Sequence, residues 1–283
     1  MKTILVPTDF SKNADNACLY AIALARKSNS KIILMHTYET PVLYSDVAFA
    51  TAQLDLAIVH DAEAYKLKKY FRRISGLAKG IKIEMILQQG LVSSRIKEIA
   101  LEKKVDLIVI GTTGKGAVER VFLGSNTVRV IRNAPCMVLA VPPKAKYQGI
   151  KKIVYATDLL SDNLDHTKTI IPFAKLFNSE ILFLNINTQM LSGEKRQDSE
   201  QIKNSIKKHV RYNKISGYSV NEIKITDGIN YFLKKHKADC LAIYSHHHGV
   251  LNLFGKSITK SVALHTTIPL LVIHEKDLAF DLK

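Results

Sequence analysis

Cysteine is scarce in this 283-residue chain, which holds three: Cys18, Cys136 and Cys240. Each sits in an apolar pattern, so reduced core residues of a cytoplasmic protein are expected rather than a disulfide framework. No apolar run approaches membrane-spanning length, which excludes a helical span on sequence grounds. The opening MKTILVPTDF is too short and too soon acidic for a secretory signal. Acidic side chains are also few: 25 Asp and Glu face 41 Lys and Arg, a net charge of +16. That balance suits nucleic acid or an acidic partner. The excess is distributed, however, and clusters such as Lys66 to Arg73 and Lys203 to Arg211 fall on helical patterns whose apolar residues face a core. They read as solvated faces. No helix-turn-helix or RNA-binding signature accompanies them, so nucleic acid is not an expected partner.

The main positive signal is Gly111-Thr-Thr-Gly114-Lys-Gly116, followed by Gly124-Ser125, directly after the apolar strand Asp106 to Ile110. Glycines beyond a buried strand end permit positive φ and close approach of an anion to backbone N–H groups. Ser125 opens an amphipathic run to Arg132, and a helix N-terminus there favours phosphate. A nucleotide site is the first hypothesis. The pattern is not a P-loop, because Ala117 and Val118 stand where Lys and Ser or Thr belong. Nor is it a dinucleotide fingerprint, since the third glycine is missing and the motif follows a late strand.

The spacing G-x2-G-x9-G-[ST], met by Gly111, Gly114, Gly124 and Ser125, resembles the ATP-binding signature of the universal stress protein family. Val6-Pro7-Thr8-Asp9 is similar to that family's first strand end, and Ala134 to Leu139 to the stretch before its last strand. The resemblance implies a bound adenine nucleotide, ATP or AMP/ADP, with magnesium as a possible companion. Pro7, Thr8 and Asp9 would line the adenosine, and Thr37 would offer backbone to the adenine. The glycine loop with Gly124, Ser125, Asn126 and Thr127 would hold the phosphates.

The second half repeats the first. Lys151 to Asn163 parallels the opening, with Asp158 in place of Asp9; Ala238 to Ser245 parallels Val105 to Thr112; and Ile268 to Ile273 mirrors Ala134 to Leu139. Self-similarity over a domain length means duplication. Two domains are expected, 1–143 and 150–283, joined by a linker around Pro142-Pro143 that ends the strand and is solvated by lysines.

In the first copy, strands are predicted at 2–7, 31–37, 81–87, 106–110 and 136–141, with helices near 13–28, 51–77, 93–103 and 117–133; residues 38–50 form a loop. In the second, strands fall near 151–157, 180–186, 220–226, 239–244 and 270–274. Alternation of this kind implies an α/β fold: two tandem, open, twisted, parallel, Rossmann-like sheets with helices on both faces. Ligands then gather where strand order reverses, at the carboxyl ends.

Each candidate also has a structural reading. Asp9, or Ser11, reads equally as the cap of the helix near Asn13. Lys115 is placed to neutralise a phosphate or is simply solvated, and Thr112 and Thr113 either donate to phosphate or satisfy the turn. His36 reads as a hydrogen-bonded core histidine. In the second copy Gly111 becomes Tyr244, Gly114 becomes His247, Gly124 becomes Ile258 and Ser125 becomes Thr259. The cradle is lost, so nucleotide is expected in the first domain alone. His246 to His248 invite a metal, but adjacent side chains on an extended segment diverge, and none is expected.

Catalysis has fewer parts. The first loop reads PTDFS, unlike the SGGxDS of ATP pyrophosphatases, and no HIGH-like motif or base for a nucleophile is present. The expected role is regulation of a stress response, with slow magnesium-dependent ATP hydrolysis or a nucleotide-free interaction module as alternatives. The apolar last strands, Val138 to Val141 and Leu270 to Ile273, are edges that need partners. The resemblance implies pairing through them, here as an internal pseudo-dimer, with a homodimer still open.

Overall fold

The structure is a computed structural model that describes residues 1–40, 49–114, 123–157, 165–187, 199–245 and 267–274. The first half runs β1 (Thr3–Thr8), α1 (Lys12–Ser28), β2 (Lys31–Tyr38), α2 (Phe49–Leu77), β3 (Ile83–Gln89), α3 (Val92–Glu102), β4 (Leu107–Gly111), α4 (Ser125–Asn133) and β5 (Met137–Val141). The second runs β6 (Lys152–Ala156), a 3₁₀ turn (Asp165–Lys168), α5 (Ile170–Phe177), β7 (Glu180–Asn187), α6 (Ser199–His209), β8 (Ile215–Asn221), α7 (Ile225–His236), β9 (Cys240–Ser245) and β10 (Leu270–His274).

All ten strands form one sheet in the order β3-β2-β1-β4-β5-β10-β9-β6-β7-β8. Pairing is parallel within each half and antiparallel only at the join, where Val138 faces Val272 and Leu139 faces Leu271. Val138 and Val272 each stand three residues beyond the corresponding prolines, Pro135 and Pro269. Matched positions therefore meet across the join, as in a two-fold dimer made within one chain. Both apolar last strands have become interior strands, which removes the edge hazard.

Strand residues alternate between two cores. Ile4, Val6, Ile32 and Leu34 pack with α1, α2, α5 and α6 on one face; Leu5, Ile33 and Met35 pack with α3, α4 and α7 on the other. Burial on both faces explains the continuous apolar runs of these strands. Each core includes residues of both halves. The three cysteines are buried and form no disulfide, and burial pushes the Cys18 and Cys240 thiols up to about 12, away from reactivity.

The duplication extends to hydrogen bonds at the strand beginnings. Asp106 Oδ2 accepts from the amides of Lys2 and Thr3, and Asp239 Oδ2 from those of Lys151 and Lys152, all at 2.7–2.9 Å. Asn29 and Asn178 both end their helices in the left-handed conformation.

Two expectations are corrected. The strand expected at 220–226 lies at Ile215–Asn221, and Ile225 already belongs to α7. As an outermost strand it needs fewer apolar residues, so Ser216, Gly217 and Ser219 concealed it. The helix expected over 117–133 has Ser125 as its first described helical residue, with Leu123 and Gly124 outside it. The linker packs on α1: Asn16 Nδ2 donates to the Pro142 and Ala145 carbonyls at 3.0 and 2.8 Å, and the Tyr147 ring meets Tyr20 edge-on at 5.0 Å. Its Lys144 and Lys146 are exposed as expected.

Candidate functional site

Strand order reverses between β1 and β4, and the chain turns sharply after each. Beyond β1, Phe10 adopts φ 64°, a left-handed conformation that a bulky side chain reaches only at a cost of about 1–3 kcal/mol. Local hydrogen bonds and ring packing offset it. The Phe10 amide donates to Thr8 Oγ1 and the Ser11 amide to Asp9 Oδ1, each at 3.0 Å. The Phe10 ring lies 4.4 Å from His36 and 5.4 Å, edge-on, from Tyr70. Ser11 caps α1, its hydroxyl accepting from the Ala14 amide. That resolves the choice of cap in favour of Ser11, and Asp9 braces the turn.

His36 is the hydrogen-bonded core histidine expected from its strand. Its Nδ1 donates to the Thr8 carbonyl at 2.7 Å, and its Nε2 stands 3.2 Å from Glu63 Oε2 on α2. Burial pushes the Glu63 carboxyl up, but Lys66 at 2.7 Å and His36 together outweigh it and leave the group below its usual value. A lowered carboxyl stabilises the fold above its unfolded pKa, and that contribution disappears as pH falls through the folded value. The stability difference between wild type and Glu63→Gln, followed by urea melts from pH 6 to pH 3, is expected to shrink with acidification; a constant difference refutes the assignment.

At the end of β4, close contact rather than unusual φ accounts for the glycines. Among the described glycines positive φ occurs at Gly80, Gly90 and Gly149, and not at Gly111, Gly114 or Gly124. This corrects the expectation from the motif. A Cβ on Gly111 would lie 2.8 Å from Asn13 Nδ2 and 3.1 Å from the Asn13 carbonyl oxygen, because the first turn of α1 presses on the strand end. Asn13 Nδ2 then reaches Thr113, donating to its carbonyl at 3.1 Å and meeting its hydroxyl at 3.0 Å. Gly111→Ala is therefore expected to cost about 1–3 kcal/mol in urea unfolding, as overpacking against backbone does; an unchanged midpoint would contradict this packing.

Gly114 faces Asp9, whose Oδ2 would lie 2.8 Å from an added Cβ. The Gly124 amide donates to the Thr112 carbonyl at 2.7 Å, which fixes the start of α4. The N-cap residue of this helix is Gly124, which has no side chain to cap it, and Val128 is the first residue whose amide returns to Gly124. The amides of Ser125, Asn126 and Thr127 therefore precede the helical ladder at its positive end. The Thr127 hydroxyl is turned inward, donating to the Gly111 carbonyl at 2.9 Å.

These segments enclose a cavity of about 500 Å³, the size of a small-molecule site. Ten of the twelve expected residues line it: Pro7, Thr8, Asp9, Thr37, Gly111, Gly114, Gly124, Ser125, Asn126 and Thr127. Thr112 stands behind the wall, 2 % exposed, and acts through its backbone bonds to Val141 and Gly124. Lys115 lies outside the described residues. Thr113, read with Thr112 as a phosphate donor or a turn residue, also lines the cavity, and the four that sequence reading missed, Ala14, Met35, Val92 and Ile110, complete the lining. Period-two alternation along β2 already placed Met35 on the face of Thr37. Val92, at the start of α3, carried no comparable signal.

In the second half, Tyr244 occupies the position of Gly111, half-buried and packed against the core. Asn185 Nδ2 reaches the Thr157 carbonyl at 3.5 Å, where His36 meets Thr8. The counterparts Asp158, His247, Ile258 and Thr259 lie outside the described residues, as does the rest of His246 to His248. Among the described residues no cluster of metal-ligating side chains occurs, and no helix is long and apolar enough to cross a membrane.

The model of the universal stress protein family matches residues 1–142. A universal stress protein of Methanocaldococcus jannaschii is 33% identical over 147 residues, covering 51% of this chain and 84% of its own; one of Thermus aquaticus is 34% identical over 140 residues, covering 50% and 98%. The crystal structure of a universal stress protein from Archaeoglobus fulgidus superposes with a TM-score of 0.72 at 16% identity, covering 96% of this chain and 98% of that one, which shows a shared fold. With half the chain matched by the family model and close to the full length of its relatives covered, the chain belongs to the universal stress protein family.

Proposed function

We propose that the amino-terminal half binds an adenine nucleotide, ATP or its di- or monophosphate, between the ends of β1 and β4, and that the protein acts through that binding as a regulator of stress responses. The start of α4 carries this reading: three amides ahead of the helical ladder, at a positive end whose N-cap residue is a glycine, beside a cavity of about 500 Å³. In this reading the amides of Ser125, Asn126 and Thr127 hold the phosphates and Lys115 neutralises them. Asp9, Pro7 and Thr8 line the adenosine, Thr37 offers backbone to the base, and Met35, Val92 and Ile110 supply an apolar wall. Asp9 is the one carboxylate among the described lining residues. A magnesium ion would be held mainly by phosphate oxygens and water.

The second half, with Tyr244 at the equivalent mouth, is assigned no nucleotide. Residues 1–143 and 150–283 are read as tandem units forming a pseudo-dimer. A homodimer would have to use surfaces other than the last strands, and reduced buried cysteines favour the cytoplasm.

The test is to denature freshly purified protein, assay the supernatant for adenine nucleotides, and compare thermal shifts with Mg-ATP, AMP and GTP. Stabilisation by an adenine nucleotide and not by GTP is expected. No effect from any of them overturns the reading and leaves an interaction module.

A further inference from the structure

The second half carries a different cleft, of about 670 Å³, where β6, β7 and β8 begin. Its floor is apolar, from Phe177 and Ile215. Its rim is basic: Lys151, Lys152 and Lys214 come from this half, and Lys27 from the last turn of α1 in the other. Two of the four have neutral partners, since Lys214 Nζ donates to Asn178 Oδ1 at 2.7 Å and Lys152 Nζ reaches the His236 carbonyl at 3.5 Å. None of the four forms an ion pair among the described residues.

Lysines at helix ends are often explained by the helix dipole alone, so the magnitude decides. Four cations face one lining carboxylate, Glu180. The ends of α1 and α5, together with the α7 carbonyl met by Lys152, supply about half a negative charge each. Asp239, whose Oδ2 accepts from the Lys151 and Lys152 amides, adds a second carboxylate beside them, and a positive excess of about half a charge remains. Folding has gathered the four lysines from positions far apart in the chain, against their mutual repulsion.

The duplication gives a second, independent indication. The corresponding cleft of the first half, about 440 Å³, is lined by Lys2, Arg26, Lys31, Lys79 and Lys82. Lys2 matches Lys151 through the shared aspartate contact, and Lys82 matches Lys214, their carbonyls accepting from Ile32 and Ile181 at 2.9 Å. There, however, Arg26 is engaged by the Leu77 carbonyl and Lys31 lies 3.8 Å from Glu84. The copy that carries Tyr244 in place of Gly111 retains the basic cleft, its engaged lysines meeting neutral partners where Lys31 of the first copy meets a carboxylate.

We infer that this cleft binds a small phosphoanion, a phosphate ester or short polyphosphate of two or more negative charges, through Lys27, Lys151 and Lys214. Its volume suits a small molecule, and its floor accepts the apolar part of an ester. The probe is sodium tripolyphosphate, titrated calorimetrically into the full chain in four forms: wild type, Gly114→Val, Lys27→Gln, and Lys151→Gln/Lys214→Gln, the substituted lysines being exposed. Binding at one site is expected to persist in Gly114→Val, which obstructs the first cavity. In the double variant it should weaken by at least about tenfold, the order of a lost charge-assisted contact, with Lys27→Gln in between. Equal affinity in the double variant, loss confined to Gly114→Val, absence of binding to wild type, or several weak sites would each overturn the inference. Because nucleotide binding is read separately with AMP, failure here leaves that proposal standing.

Discussion

Valine at position 114 is expected to abolish stabilisation by nucleotide while leaving the unliganded chain folded. The added Cβ would stand 2.8 Å from Asp9 Oδ2, the far end of a side chain that can rotate away. Its branches would then fill the gap between the β1 turn and the first turn of α4, where the proposed phosphates pass. With ligand at about a hundredfold over its dissociation constant, wild type should gain roughly 2.7 kcal/mol, and the variant close to none. Calorimetric scans with and without Mg-ATP or AMP decide it; a retained shift moves the site elsewhere. Gly124→Ala is the matching control for the unliganded fold, because nothing lies closer than 3.6 Å to a methyl added there.

Truncating Leu271 to alanine is expected to cost about 2–5 kcal/mol, the range for a fully buried leucine. This residue is 0% exposed and sits between Leu139 of β5 and Ala242 of β9. The two cores extend through both halves, so the loss should lower one shared unfolding transition rather than detach one half. Leu139→Ala touches the same contact across the join, and the double variant should cost less than the two single losses combined. Strict additivity, or a melt in which the first half is untouched, would show the halves to be energetically separate.

Most of the fold was legible because most strands are buried on both faces and must be apolar throughout. Ile4 to Val6 and Leu107 to Ile110 leave little choice of assignment. β8 escaped because an outer strand can carry Ser216 and Gly217, while the apolar positions around Ile223 and Ile225 imitated a strand. Ile223 is in fact 77% exposed. For the site, the glycine spacing located the cavity correctly but suggested the wrong cause. Positive φ is a local property that sequence can hint at; contact between Gly111 and Asn13 joins positions about a hundred residues apart. The left-handed Phe10 was equally hidden. No local pattern requires it, and the rings of His36 and Tyr70, from two other elements, pack against it.

The internal join has an evolutionary corollary. In a homodimer every substitution is made twice, so a change that improves one mouth of the assembly is imposed on the other. Fusing the copies lifts that coupling: a tyrosine can stand at one strand end while a glycine stands at the other, and the two ends can be selected for unrelated tasks on a shared scaffold.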